Sequence, residues 1–218
     1  MIPRIFHYIW LGKKEMPVTA KRCMDSWMKY NPDFEIKLWN ESNLNIKDDV
    51  YIKAYKKEAW AFCADYARLL ILKEHGGVYL DIDMELIKPF SNFLELKCFL
   101  GKETDDSLSC GVIGCEKNDD FISECFYELR ESMKKDFVPI PRIFNYVYEK
   151  NEFSYISVFE KEYFYPYNPF SSDIKILFYS DIKECTHAIH HWNYSWKPTL
   201  KNRVLNKLKR SVTRSKFF

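Results

Sequence analysis

Asp81 and Asp83 stand two residues apart at the end of an apolar run that follows a double glycine. The order is His75-Gly76-Gly77-Val78-Tyr79-Leu80-Asp81-Ile82-Asp83. On a strand, side chains so spaced point to the same face. Two neighbouring anions at the edge of a core repel each other and lose solvation, so one protonates unless a cation lies between them. A hard divalent metal with oxygen ligands resolves that conflict. The pair therefore points to an enzyme acting on a phosphate-bearing substrate. The competing reading is a capped turn with two exposed acids.

Other residue groups carry related chemistry. Asp65 and Arg68 are three apart in a helical pattern and share a face. They form either a surface ion pair or, among Ala61, Ala64, Leu69 and Leu72, a partly buried pair. A buried pair aimed at a cleft can hold sugar hydroxyls and neutralise phosphate. Trp10 ends a β-rich run before Gly12, either as core or as a platform for a flat base. His190, His191, Trp192, Ser195 and Trp196 crowd together further on. Imidazole and hydroxyl groups there can complete an oxygen-rich metal shell or touch a diphosphate. Cys110, Cys115, Cys185 and His187 make a poorer zinc site, because their spacing matches no standard pattern.

These side chains need elements to position them. Residues 4–11 read as a buried strand ending at Gly12. Residues 18–30 read as a helix with Ala20, Cys23, Met24 and Trp27 on one stripe. Asn31-Pro32-Asp33 marks a turn, and residues 34–39 alternate as a second strand. Residues 50–75 carry a helical pattern, strongest from Ala59 to Glu74, that Gly76-Gly77 stops. Val78 to Asp83 reads as the third strand. Further strands are expected at 99–101 and 111–114 near a sheet centre, and late ones at 156–159 and 164–166. Helices are expected at 119–134 and 142–148. This alternation predicts an α/β sheet with helices on both faces. Ligands of such sheets bind beyond the carboxyl ends of the strands, where Gly12, Asp81 and Asp83 all fall.

The bulk of the chain agrees with an enzyme. Its 218 residues suit one domain with a full core, and 47% hydrophobic content excludes a disordered chain. At 17%, the aromatic share supplies stacking surface as well as core. No apolar run is long enough to span a membrane, and the start lacks the apolar stretch of a secretory signal. Seven cysteines without a Cys-x-x-Cys pair fit buried free thiols in a reducing cytosol. The net charge of +2 hides an asymmetry: residues 197–218 hold eight Lys or Arg and no acid, leaving residues 1–196 at −6. Val204, Leu205, Leu208 and Val212 recur among those cations at helical spacing. The preferred partner of this basic amphipathic tail is an anionic membrane surface, with no nucleic acid expected. Nucleic-acid binding and a frayed terminus are the competing readings.

Four blocks occur in order. They are Ile2-Pro3-Arg4-Ile5-Phe6-His7-Tyr8-Ile9-Trp10-Leu11-Gly12; Asn31-Pro32-Asp33 with Leu38-Trp39; Asp65 and Arg68 with the Gly76-to-Asp83 run; and His190-His191-Trp192 with Ser195-Trp196. This order resembles the sugar transferases that carry the DXD motif. The group includes initiating α-1,6-mannosyltransferases of the yeast type and many bacterial capsule and lipopolysaccharide enzymes. The catalytic domain of the glucosylating clostridial toxins is a more distant likeness. The resemblance covers about residues 2–196.

It implies a GT-A fold, a mixed and mostly parallel sheet flanked by helices, over residues 1–196, with 197–218 as a tail. It implies a nucleotide-sugar donor, a divalent cation (Mn2+ or Mg2+) and retention of anomeric configuration. A UDP-sugar is favoured over GDP-mannose, and the sequence itself leaves the base of the donor open. Carried over by position, Trp10 would stack on the donor base, and Asp65 and Arg68 would hold the donor sugar. Asp81 would contact ribose or sugar and a metal-bound water, and Asp83 would ligate the metal. His190, or its neighbour His191, would be a further ligand, and Ser195 and Trp196 would close on the diphosphate. The acceptor would be a glycan or lipid-linked oligosaccharide in surface polysaccharide synthesis. The expected place is the cytoplasm, at the inner membrane leaflet. The chain departs from relatives at Ser109-Cys110-Gly111, where an Asn is common, and at Pro139-Ile140-Pro141-Arg142, where a Gly-Pro and a Thr are common. The rival reading is a non-catalytic carbohydrate- or lipid-surface-binding protein on a transferase scaffold.

Overall fold

A six-stranded sheet runs through the protein, whose computed structural model describes residues 1–136, 138–170 and 176–193. In chain order its strands are β1 (Ile5–Ile9), β2 (Glu35–Trp39), β3 (Gly77–Leu80), β5 (Cys98–Thr104), β6 (Ser107–Cys115) and β7 (Ile156–Phe159). They lie side by side as β2-β1-β3-β6-β5-β7. β6 is antiparallel to both β3 and β5, and the other pairings are parallel. Every strand but β6 therefore runs the same way. The carboxyl ends of β1, β3 and β5 share one edge of the sheet with the amino end of β6. A separate ribbon pairs β4 (Met84–Leu86) with β8 (Ala188–His190), antiparallel, with Met84 opposite His190.

Side chains along each strand alternate between two cores. Ile9, Tyr79 and Ile113 enter one core with α2 (Asp49–Lys56), α3 (Trp60–His75), α4 (Asp120–Lys135) and α5 (Ile140–Lys150). Phe6, Val78, Leu80 and Val112 enter the other. There they meet Trp27 of α1 (Val18–Tyr30) and Phe164 of the short α6 (Lys161–Phe164). α1 buries Ala20, Cys23 and Trp27, the expected stripe.

Three local expectations are corrected. The helical stretch 50–75 breaks in two, because Glu58 takes a left-handed conformation at φ 54°. The Glu58 N–H then bonds Tyr55 O and the Ala59 N–H bonds Ala54 O, the paired closure of a Schellman motif. The third strand stops at Leu80. The Met84 N–H bonds back to Asp81 O at 3.0 Å, so Asp81 and Asp83 occupy a turn between β3 and β4 and are not strand neighbours. Residues 164–166 are no strand: Phe164 ends α6, and the Tyr165 N–H caps it by bonding Lys161 O.

Candidate active site

The turn after β3 points its acids at the shared sheet edge. One oxygen of Asp81, one of Asp83 and a ring nitrogen of His190 lie within 4.8 Å of one another. This is the one grouping of acids, histidines and cysteines among the described residues that could hold an ion. The β4–β8 ribbon makes it possible, since the His190 pairing with Met84 carries the imidazole back over the turn. His190 Nε2 lies 3.1 Å from Asp83 Oδ1, and the Asn193 N–H bonds Asp83 Oδ2 at 2.8 Å. His191 turns instead to Glu85, at 2.8 Å. Burial pushes the Asp83 carboxyl up, but His190 and the backbone donors outweigh it and hold the group below the usual range.

Beside this cluster lies a second, more enclosed one. The Arg68 guanidinium stands 3.1 Å from Asp65 Oδ1 and 3.4 Å from Asp81 Oδ1. It donates to Cys110 O at 2.6 Å and rests over the Tyr79 ring, 4.5 Å from its centre. Tyr79 donates its hydroxyl to Asp81 Oδ1 at 3.0 Å. Both Asp65 and Arg68 are buried, which settles the alternatives against a surface pair. Burial raises the Asp65 carboxyl to about 6, helped by Asp81 and opposed by Arg68. Burial works against the Arg68 charge, yet Tyr79, Asp81 and Asp65 together hold it firmly protonated. Two buried atoms in these clusters, Arg68 Nε and His190 Nδ1, have no hydrogen-bond partner among the described residues.

The other predicted residues are placed as follows. Trp10 is half-buried just past β1, and its indole N–H bonds Lys14 O at 2.7 Å, so its ring is held at the same edge and is not core. Ser195, Trp196 and the basic tail lie outside the described residues. The zinc reading fails. Cys110, Cys115 and Cys185 are free thiols. His187 stacks flat on Tyr163, and its Nδ1 lies 2.9 Å from Cys185 O.

Tyr79 and Tyr165 escaped the sequence reading. The spacing of Tyr79 to Asp81 was a signal for the first. Tyr165 gave none, because a long loop closure brings it in. Its hydroxyl accepts from the Val112 N–H at 2.8 Å, and it crosses β6 where Gly111 leaves room. A Cβ at Gly111 would lie 3.1 Å from both Asp81 Oδ2 and that hydroxyl.

A mostly parallel sheet with an acidic pair in the turn after its third strand is the architecture of GT-A glycosyltransferases. Two solved structures share it. PaToxG glycosyltransferase aligns at TM-score 0.55 with 17% identity, over 68% of this chain and 69% of its own. A glycosyltransferase involved in glycosylation of the major capsid of PBCV-1 aligns at 0.52 with 12% identity, over 89% and 95%.

The chain belongs to the family of glycosyltransferases with a sugar-binding region containing the DXD motif, whose family model matches residues 17–100. It is 30% identical over 226 residues to an uncharacterized glycosyltransferase of Acanthamoeba polyphaga mimivirus, covering 92% of this chain and 86% of that one. Inositol phosphoceramide mannosyltransferase 3 of Schizosaccharomyces pombe is 26% identical over 126 residues. That match covers 56% of this chain and 35% of the relative, so this chain spans only part of that protein's length. The protein is a glycosyltransferase. Among the described residues no helix is long and apolar enough to cross a membrane.

Proposed function

We propose that this glycosyltransferase is metal-dependent and retaining. It moves a sugar from a nucleotide-sugar donor, UDP-linked by preference, to a glycan or lipid-linked acceptor in surface polysaccharide synthesis. The observation that carries the reading is the convergence of Asp81, Asp83 and His190 within 4.8 Å beside the Asp65–Arg68 pair. Two carboxylate oxygens and one imidazole suit a divalent ion such as Mn2+, which accepts nitrogen beside oxygen more readily than Mg2+. Asp83 and His190 would hold the ion, with Asp81 beside them. When bound, it supplies Lewis-acid stabilisation of the charge left on a departing diphosphate.

The chain's own residues do the rest. Trp10 stacks on the base at the β1 end. Arg68, kept charged and fixed by Asp65, Asp81 and the Cys110 carbonyl, holds the donor sugar and screens the negative charge beside it. Ser195 and Trp196 close over the diphosphate. The incoming hydroxyl attacks from the face the diphosphate leaves, and a diphosphate oxygen takes its proton. Residues 1–196 form the transferase unit. The tail at 197–218 contacts an anionic leaflet from the cytoplasmic side, and a chain ending at residue 196 should lose vesicle binding.

The mannosyltransferase relatives make GDP-mannose the first donor to set against the UDP-sugars. A panel of UDP-glucose, UDP-galactose, UDP-N-acetylglucosamine and GDP-mannose with Mn2+ tests the reading through release of the nucleoside diphosphate. We expect release from one donor, abolished by chelation and by Asp83→Ala. Equal release by Asp83→Ala, with metal supplied, overturns it.

A further inference from the structure

Trp192 follows the two histidines directly and has no role in the proposed function. Its backbone is strained, with φ at 53°, in the left-handed region that bulky side chains avoid. It is the one aromatic residue in that region among the described residues. The residues on either side of it both reach Asp83. The His191 N–H bonds Asp83 O at 3.0 Å, and the Asn193 N–H bonds Asp83 Oδ2 at 2.8 Å. The left-handed turn at Trp192 is therefore wrapped around the acid. Strain of this kind persists only where the surroundings hold it, and it gathers at functional sites.

The side chain shows what holds the turn. The indole N–H donates to Tyr167 O at 2.7 Å. Phe170 meets the indole edge-on at 6.1 Å between ring centres, and Tyr165 lies 6.4 Å from it. The ring so fixed packs on His190, with indole and imidazole centres 4.1 Å apart and the planes tilted by 45°. Tyr165 adds an edge-on contact to the same imidazole at 5.8 Å. A histidine that ligates a metal almost always donates its second ring nitrogen to an acceptor, and that bond fixes the orientation of the ring. His190 makes no such bond among the described residues. Its Nε2 faces Asp83, and its Nδ1 is buried without a partner. Its orientation is set by packing instead, and Trp192 is the closer of the two rings against it.

We propose that Trp192 is the positioning residue for His190: its indole holds the imidazole in place beside Asp83 and so sets the affinity of the site for a divalent cation. The proposal rests on the ion site given under the proposed function. The indole stands in for the acceptor that orients other ligating histidines. The bond to Tyr167 O is part of the device, because an indole free to turn would leave the imidazole with the Tyr165 contact alone. Backbone and ring have separable parts in this. Asparagine accepts the left-handed backbone readily but brings no ring.

The test titrates Mn2+ into the donor-free protein and follows binding by electron paramagnetic resonance. We expect Trp192→Asn to raise the Kd for Mn2+ by about 10-fold or more, the usual size of the loss when a ligand's supporting partner is removed. Trp192→Leu fills the space without an aromatic ring, should give the same rise, and serves if Trp192→Asn folds poorly. Trp192→Phe, which keeps a ring, should give a smaller one. His190→Ala and the double variant with Trp192→Asn should bind Mn2+ equally, because Trp192 acts through His190. Unchanged affinity in the folded Trp192→Asn or Trp192→Leu protein overturns the proposal. A double variant markedly weaker than His190→Ala overturns it as well, since Trp192 would then act elsewhere than on the imidazole. If the wild type takes up no Mn2+, the ion reading fails separately. Carbon-13 relaxation of the His190 ring in the metal-free protein still reads Trp192 in that case: a rigid ring made mobile by Trp192→Asn supports the role, and a ring equally rigid in both overturns it.

Discussion

Each end of β3 meets a histidine, and the two are arranged in opposite ways. At its start, His7 lies fully buried beneath Gly76-Gly77. Its Nε2 lies 2.9 Å from Gly76 O, and the Trp39 indole N–H donates to its Nδ1 at 3.0 Å. A carbonyl can only accept and an indole N–H can only donate, so His7 is the neutral Nε2–H tautomer with both nitrogens satisfied. At the far end, His190 faces Asp83 with one nitrogen and has no partner for the other among the described residues. Asp83 meets only that imidazole and backbone N–H groups among the described residues, with no Lys or Arg. One end is closed and complete. The other has spare ligand capacity, the state expected of a place where something binds.

The largest effect in this contrast should come from Asp83. Asp83→Ala removes an anion whose partners are all at the open end, so transfer should fall by roughly a thousandfold, about 4 kcal/mol of transition-state stabilisation. The melting temperature should barely move, and steady-state assays beside thermal melts check both. Arg68 stands between the two kinds of region, since it is enclosed but belongs to the site. Arg68→Met strands Asp65 and should destabilise the fold by about 3 kcal/mol in urea unfolding, the low end for a broken buried pair. The low end applies because Asp65, raised to about 6, can protonate in response. Adding Asp65→Asn should recover part of that loss, whereas full additivity would show that the pair is not coupled.

The closed end predicts acid sensitivity of definite sign. Burial lowers His7 to about 4 from an ordinary 6.5. Below 6.5 the unfolded chain takes a proton that the native state refuses. Stability from this residue is therefore complete above pH 6.5 and drains away as pH falls toward 4, by about 3 kcal/mol in total. Urea midpoints from pH 7 to pH 4 check it, with His7→Gln flattening the curve. Smallest is Gly77→Ala. Gly77 sits at φ +96°, and a methyl group there would lie 2.8 Å from His7 Nε2. We expect about 2 kcal/mol of destabilisation with kcat/KM unchanged in the surviving folded protein.

The same contrast explains what the sequence disclosed. α1 was legible because Ala20, Cys23 and Trp27 recur on one stripe, and the stop at Gly76 because a left-handed C-cap favours glycine. The break between α2 and α3 was hidden, since Glu58 also takes a positive φ, without the residue type that announces it. Asp81 and Asp83 were singled out by an argument from strand spacing, but a turn brings them together. The signal that mattered was their chemistry next to an apolar strand. β4 and β8 are three residues each and pair across a long separation, so no local pattern foretells them. That ribbon is nevertheless what brings His190 to Asp83. Residues positioned by long closures are not legible as geometry: His190 could be read as chemistry, and Tyr165 not at all.

The most direct test of the account is Mn2+ binding followed by electron paramagnetic resonance in the presence of UDP. The wild type should take up one equivalent of Mn2+, and both Asp83→Ala and His190→Ala should lose most of that uptake while Gly77→Ala keeps it. Uptake that is identical in wild type and Asp83→Ala would contradict an ion site at the open end of β3.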